Sequence, residues 1–204
     1  MSKQKKPEFE FYLHDTYFSI SVDAFIKAIK LKEAADKVGL ERLETIHKFA
    51  ALWEEIYANW LISITFSALC VEAYINHYAI ENLSKNYFEN YLDKLNTISK
   101  WIIIPRIITG KQIDSRTIAI KNLKRLIGLR HKLVHFKTRY YHTVEERIND
   151  IFPEYIDVEL AIKTAPQLIL EIKKIDEKVD SDWINKSLNR LKTRIALNIS
   201  VNRV

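Results

Sequence analysis

Apolar residues recur at helical spacing along most of the chain. Between residues 23 and 38 they lie three and four positions apart, and Gly39 supplies a stop signal. The same spacing continues over residues 41–83, a stretch of 43 residues with no glycine or proline. A straight helix of that length would measure about 65 Å, longer than a domain of this size can cover. We therefore expect either two helices with a break near Ala58 and Asn59, or one long helix with a kink.

Two further helices are predicted between residues 87 and 136. The first covers about 87–104 and stops at Pro105, and residues 109–114 form a loop. Ser115 is a suitable N-cap for the second helix, 116–136, which leaves its lysines and arginines in solvent. The residues that this helix is expected to bury are Ile120, Leu123, Leu126, Ile127 and Val134.

The two ends of the chain carry different patterns. Residues 8–22 alternate apolar and polar side chains and are rich in aromatic residues, which indicates a short strand or an extended arm. Near the other end, Asp157 caps a helix that reaches about Lys178 with a kink at Pro166, and a last helix covers 182–199. No internal repeat or linker interrupts the pattern. We predict one all-α domain over residues 1–204, a helical bundle with a short extended N-terminal arm.

Composition agrees with this fold class. Only three glycines and four prolines occur in 204 residues, too few for a β-rich fold with frequent turns. The single cysteine, Cys70, has no partner for an intramolecular disulfide, which favours a reducing compartment. The longest uncharged stretch, residues 56–71, is shorter than the ~20 residues that span a membrane. We expect a cytoplasmic protein with no membrane contact.

Positive charge is concentrated in one segment. Between Arg106 and His142 ten lysines and arginines stand against one acid, Asp114, whereas the rest of the chain has more acids than bases. Such a segment favours a polyanionic partner, nucleic acid first. The other interpretation is a solvated helix face that keeps the protein soluble, and charge alone does not decide between the two.

The densest cluster of chemically useful side chains is RHKLVHF, residues 130–136. His131 and His135 are one helical turn apart, a spacing that zinc sites use, with His142 as a third candidate ligand. A zinc protease would place a glutamate directly after the first histidine, and here Lys132 stands there and opposes a divalent cation. We therefore expect no metal site.

Phosphate chemistry suits the same residues better. RNA carries its own nucleophile, the ribose 2′-OH, so a metal-free enzyme needs a base, an acid and a cation for the phosphorane. Histidine transfers protons near neutral pH, and the planar guanidinium of arginine matches phosphate oxygens. Five residues separate Arg130 from His135, which places them about 140° apart on a straight helix. Either the helix is distorted before His135, or a second copy of the chain completes the site.

The segment RHKLVHF resembles a motif of a known protein family. RHKLVHF resembles the R-[polar]-x-x-x-H signature of HEPN domains, which occur in prokaryotic ribonuclease toxins and defence effectors. Many members have Asn at the second position, where this chain has His131. Residues 66–76 resemble the small-residue helix with Glu and Asn that precedes the motif helix in several HEPN subgroups, and the resemblance covers about 41–180. Arg42 and His47 share the same spacing, but they lie in an ordinary amphipathic stretch.

The resemblance implies an all-α bundle that dimerises along the motif helix, so that two motifs face one basic cleft. It implies RNA cleavage without metal or cofactor that leaves a 2′,3′-cyclic phosphate. Arg130 would bind the phosphate, His135 would act as base or acid, and His131 would orient the site. Glu72 and Asn76 either line the cleft or form a structural hydrogen-bonded pair.

Three functions follow as hypotheses. The first is a homodimeric HEPN-type endoribonuclease in a toxin or antiviral role, with an antitoxin or defence protein as a further partner. In it Lys132, Lys137 and Arg139 would bind RNA around the motif. The second is a catalytically inactive HEPN-like module that binds RNA, a nucleotide or a protein. The third, a basic helical DNA-binding protein, is less favoured because the basic helix also carries a full core face.

Overall fold

The computed structural model describes residues 12–38, 43–135, 140, 143 and 153–201. All regular structure in these ranges is helical, without any strand, so the prediction of an all-α fold is confirmed. The helices are α1 (Leu13–Ala35), α2 (Leu43–Leu83), α3 (Lys85–Tyr87), α4 (Thr97–Thr109), α5 (Ile118–Val134), α6 (Tyr155–Lys173) and α7 (Asp182–Val201), and a π-helical turn, Phe88–Leu92, follows α3.

Helix α2 is the central element. It runs through residues 58 and 59 as one helix of 41 residues, so the break into two helices expected near Ala58 and Asn59 does not occur. The Asn59 side chain donates to the Glu55 carbonyl one turn earlier (2.7 Å) and stays within the helix. By length and composition Glu44–Leu83 could cross a membrane, but half of its most apolar window is buried against the other helices, as in the core helix of a bundle.

Helix α1 replaces the predicted arm. The strand or arm expected over residues 8–22 is wrong for residues 13–22, which are helical, while residues 8–11 lie outside the described part. The prediction followed the alternation of apolar and polar residues and missed a helical spacing in the same segment. Phe18, Val22 and Phe25 lie three and four positions apart and are all buried in the core. Hydroxyl groups join α1 to α2: Ser21 Oγ donates to the Ser63 carbonyl (2.8 Å) and lies 2.7 Å from Ser67 Oγ.

Helices α2 and α6 run in the same direction. Trp60 packs on Tyr155 at the start of α6, with ring centroids 6.3 Å apart. Further along both helices, the Tyr78 hydroxyl donates to Asp176, just after α6 (2.8 Å). The bundle therefore has two ends, which we call the Trp60 end and the Tyr78 end.

Helix α5 runs in the opposite direction. Asn122 donates to Gln167 in the middle of α6 (2.8 Å). Arg125, one turn later in α5, donates from Nε to Asp157 in the first turn of α6 (3.0 Å). Helix α5 thus approaches the start of α6 as it advances, and its C-terminus lies at the Trp60 end.

The predicted boundaries around α4 and α5 need correction. In place of a helix over 87–104, α4 begins at Thr97 and passes through Pro105 to Thr109, because Gly110 with φ 72° supplies the actual stop. Helix α5 is capped by Thr117 and not by Ser115. Asp114 accepts the backbone N–H of Arg116 (2.9 Å), and this turn keeps residues 115 and 116 out of the helix.

Burial along α5 agrees only in part with the burial that the sequence predicts. Ile120, Leu123 and Leu126 are fully buried as predicted and Ile127 is half-buried, whereas Val134 in the last turn is 53% exposed.

Helix α6 ends at Lys173 and not near residue 178, and Pro166 lies inside it. Its N-cap is Glu154; Asp157 stands at the third helical position and accepts the Glu154 N–H (3.2 Å), as in a capping box.

His14, in the first turn of α1, is buried among aromatic rings. Its ring centroid lies 4.7 Å from that of Trp183 and 5.3 Å from that of Tyr74. The pKa of His14 is lowered to about 4, mainly by burial and also by neighbouring His77, while Asp180 partly offsets both effects. The imidazole is therefore uncharged in the folded protein at neutral pH.

This burial predicts an acid-sensitive fold. The pKa of His14 is lowered from 6.5 to about 4, so between these values the unfolded chain binds a proton that the folded chain does not. We expect the free energy of unfolding to fall as the pH drops through this range, by about 3 kcal/mol in total from this residue. Urea denaturation between pH 7 and pH 5 checks the prediction. His14→Gln should flatten the curve, and an equally steep curve in that variant would contradict it.

Candidate functional site

Arg130 occupies a core position of α5. Leu126 lies four and Leu123 seven residues before it, so all three side chains project from one face of the helix. Both leucines are fully buried, and Arg130 is itself half-buried. An arginine here interrupts an apolar stripe at the turn where α5 reaches the Trp60 end.

The guanidinium of Arg130 has no partner in the described part of the chain. Its Nε is buried without a hydrogen bond, and no described residue forms an ion pair with it. A buried cationic donor without a partner is costly, typically by more than 1–3 kcal/mol. The arginine is therefore poorly explained by stability, and an oxygen-rich anion would satisfy it.

The two histidines of the motif lie on the solvent side of the same helix end. His131 and His135 are exposed, and their ring centroids are 4.6 Å apart. His135 is the C-cap, and its N–H still donates to the His131 carbonyl (2.9 Å). Because the helix stays regular up to His135, the distortion considered above does not occur. Arg130 and His135 thus keep their separation of about 140° around the helix axis.

Two cations of the basic segment are used inside the fold. Arg125 binds Asp157 as described above, and Arg116 binds Asp114 (3.0 Å). The Arg116 guanidinium also lowers the pKa of the Asp114 carboxyl. These two arginines therefore contribute less to a polyanion surface than the sequence indicated. Lys121, Lys124 and Lys132 are exposed along α5, while Lys137 and Arg139 lie outside the described residues.

Glu72 and Asn76 are not brought to the motif. Glu72 lies about 18 Å further along α2 than Trp60, on the way to the Tyr78 end. Asn76 Oδ1 accepts from Lys100 Nζ (3.0 Å), an amine that is only 3% exposed and lies 3.8 Å from Asp93 Oδ1. Asn76 therefore stabilises a buried lysine, and within the described residues it forms no hydrogen bond with Glu72, so the structural pair considered from the sequence is not observed. Glu72 is half-buried and makes no hydrogen bond within the described residues.

A row of aromatic residues on α2 lies at the same end as Arg130. Phe49, Trp53, Tyr57 and Trp60 recur at three- and four-residue spacing, and their neighbouring rings lie within about 6 Å of one another. Trp60 is buried, whereas Trp53 is half-buried. The indole N–H of Trp53 is buried without an acceptor. The described residues thus hold two buried donors without partners, Trp53 Nε1 and Arg130 Nε, both at the Trp60 end.

The sequence did not predict that the aromatic row on α2 and Arg130 lie at the same end of the bundle. The helical spacing of the four aromatic residues is a local feature of the sequence. That spacing does not indicate that the first half of α2 lies at the same end of the bundle as the C-terminus of α5. That placement depends on the directions of α2, α5 and α6, which follow from side-chain contacts far apart in sequence.

Cys70 does not belong to a site. It is fully buried in α2, and burial raises the pKa of its thiol well above the ordinary range. A thiol in such surroundings stays protonated and is a poor nucleophile.

Comparisons with models of protein families, with curated proteins and with solved structures find no match to this chain.

The position of Arg130 leads to a prediction about stability. Arg130→Met removes an unpaired buried donor and keeps an unbranched side chain, so the free energy of unfolding should stay the same or rise by about 1 kcal/mol. Leu126→Ala, one turn earlier on the same face, should lower it by about 2–5 kcal/mol. Urea denaturation of both variants provides the measurement. A loss of stability in Arg130→Met as large as that in Leu126→Ala would mean that the guanidinium has a structural partner.

Proposed function

We propose that the chain is a metal-independent endoribonuclease of the HEPN type, acting in the cytoplasm in a toxin or antiviral role. The proposal is supported by the half-buried Arg130, which has no partner among the described residues and lies within one and a half helical turns of two neighbouring histidines. A phosphodiester supplies what this arginine lacks, because its nonbridging oxygens accept hydrogen bonds from a guanidinium.

The reaction uses the nucleophile of the substrate. A histidine takes the proton of the ribose 2′-OH, and the freed oxygen bonds to phosphorus while Arg130 stabilises the charge on the phosphorane. The bond from phosphorus to the 5′ oxygen breaks, and a second histidine gives that oxygen a proton. The products are a 2′,3′-cyclic phosphate and a free 5′-hydroxyl. No metal or cofactor takes part.

A homodimer would bring Arg130 and His135 to the same phosphate although they lie on different sides of α5. Arg130 and His135 project from different sides of a regular helix, so one α5 does not bring both to one phosphate. Two copies of α5 packed around a two-fold axis would place the motifs of both chains around one cleft. The interface would involve residues 116–137, and His135 of each chain would supply the base or the acid.

The surroundings of the motif suit RNA. Lys121, Lys124 and Lys132 are exposed on α5 and attract the phosphate backbone. Trp53 and its aromatic neighbours on α2 lie at the same end, where an unpaired base can stack. These features favour single-stranded or looped RNA as the substrate class.

Cleavage in EDTA tests the chemistry. Purified protein should cut single-stranded RNA in EDTA and should spare DNA, which has no 2′-OH. His135→Ala should lower the rate about 10²–10⁴-fold, the usual effect of losing a positioned acid or base. Arg130→Met should lower it by a comparable factor while the protein stays folded.

The chain contains a matched control. His47 follows Arg42 at the same spacing, and it is exposed on α2. His47→Ala should leave the cleavage rate nearly unchanged. RNA binding without cleavage in the native protein would support the inactive module instead. Cleavage that survives His135→Ala but disappears in EDTA would overturn the metal-free mechanism.

Mixing variants tests the composite site. If both copies of His135 act in one cleft, a dimer with one His135→Ala chain is inactive. After subunit exchange at a ratio of one to one, about a quarter of the native activity per dimer should remain, because only dimers of two native chains act. Independent sites would leave about half. A monomer in sedimentation at micromolar concentration would remove the composite mechanism altogether.

A further inference from the structure

The Tyr78 end of the bundle contains a cavity that the proposed reaction does not use. Its volume is about 240 Å³, enough for one small organic molecule. It is formed by the start of α1, the last turns of α2, the connection between α6 and α7, and the first turn of α7. We call it the His14 cavity. The residues that line it are Tyr12, His14, Asp15, Tyr74, His77, Tyr78, Glu81, Asn82, Asp176, Lys178, Val179, Asp180 and Trp183.

Aromatic rings form one wall of the His14 cavity. Tyr74 stacks on Trp183, with centroids 5.8 Å apart and an angle of 27° between the ring planes. His14 meets Trp183 nearly edge to face at 4.7 Å, and it lies 5.3 Å from His77. Packed rings of this kind present a rigid surface against which an alkyl chain or a cationic group lies favourably.

His14 is a buried side chain that forms no hydrogen bond with the residues that the structure describes. It is only 5% exposed and lines the cavity, and within the described residues its contacts are with aromatic rings. Since its pKa is lowered to about 4, mainly by burial, the ring is neutral at physiological pH and offers one acceptor nitrogen. A ligand with an N–H or O–H group would satisfy it.

Charge selects the class of ligand. Four acids line the cavity, from three parts of the chain: Asp15 in α1, Glu81 in α2, and Asp176 and Asp180 in the connection between α6 and α7. Lys178 is the single cation among the lining residues. The Tyr78 hydroxyl orients one of the carboxylates by donating to Asp176 (2.8 Å). An anion would be repelled here, so the nucleotide or phosphate expected at Arg130 does not fit this cavity.

A metal ion fits less well than an organic cation. Among the described residues no three His, Cys, Asp or Glu side chains come close enough to hold a metal. The aromatic wall would contribute little to a hydrated divalent ion, whereas it suits the methylene groups of an alkylammonium.

We propose that the His14 cavity binds a small primary ammonium compound. Its charged head lies among the carboxylates of Asp15, Asp176 and Asp180, one N–H donates to His14, and its methylene chain packs on Tyr74 and Trp183. The site is independent of the ribonuclease proposal, because it lies at the opposite end of α2 and uses none of the motif residues.

Calorimetric titration with putrescine tests the proposal, and 1,4-butanediol is the matched neutral compound of the same length. Putrescine should bind with one site per chain, and butanediol should not bind. Asp180→Asn, an exposed position outside the helices, should weaken binding of putrescine about tenfold or more, because a charged hydrogen-bond partner is lost. His14→Phe keeps an aromatic ring and should also weaken it.

The control is Glu159→Gln, which removes a partly exposed acid of α6 that does not line the cavity. It should leave the affinity for putrescine unchanged. Equal weakening in Glu159→Gln and Asp180→Asn would mean general attraction to an acidic surface and would overturn the proposal. It would also be overturned by equal binding of butanediol, by Mg²⁺ competing one for one with putrescine, or by no binding of putrescine at millimolar concentration.

Discussion

The length of α2 is the constraint on which the rest of the structure depends. At 41 residues it measures about 60 Å, so no single helix covers it, and different partners must bury different parts of its surface. Helix α1 packs along it most extensively, and α4, α5 and α6 bury other parts. This arrangement separates the molecule into two ends. Trp60 and Tyr78, which mark them, are about 27 Å apart along the helix.

The two ends have opposite chemistry. At the Trp60 end the bundle places exposed lysines of α5 and an arginine that has no partner among the described residues, whereas at the Tyr78 end it gathers carboxylates and a neutral histidine. Each end contains a polar side chain, Arg130 or His14, that forms no hydrogen bond with the described part of the chain. Such groups lower stability, and an arrangement that stability does not explain is typical of sites that bind or react.

The sequence predicted helices well and contacts poorly, for physical reasons. Apolar periodicity identified the buried stripe of α5 through Ile120, Leu123 and Leu126, because that stripe is a local property of the helix. It did not show that Pro105 lies inside α4, since the stop depends on the left-handed Gly110. At the candidate site, the motif indicated Arg130 and His135, but the missing partner of Arg130 and the nearby aromatic row depend on long-range packing that no local pattern records.

The serine cluster between α1 and α2 has a consequence for how the two helices find their alignment. Ser21, Ser63 and Ser67 are fully buried and satisfy one another's hydroxyl groups. A shift of α1 by one turn would move these hydroxyls against apolar side chains and leave them without partners, at a cost of about 1–3 kcal/mol for each. Apolar contacts alone tolerate such sliding. The hydrogen bonds of the three serines thus favour the native register of α1 on α2 over registers shifted by one turn.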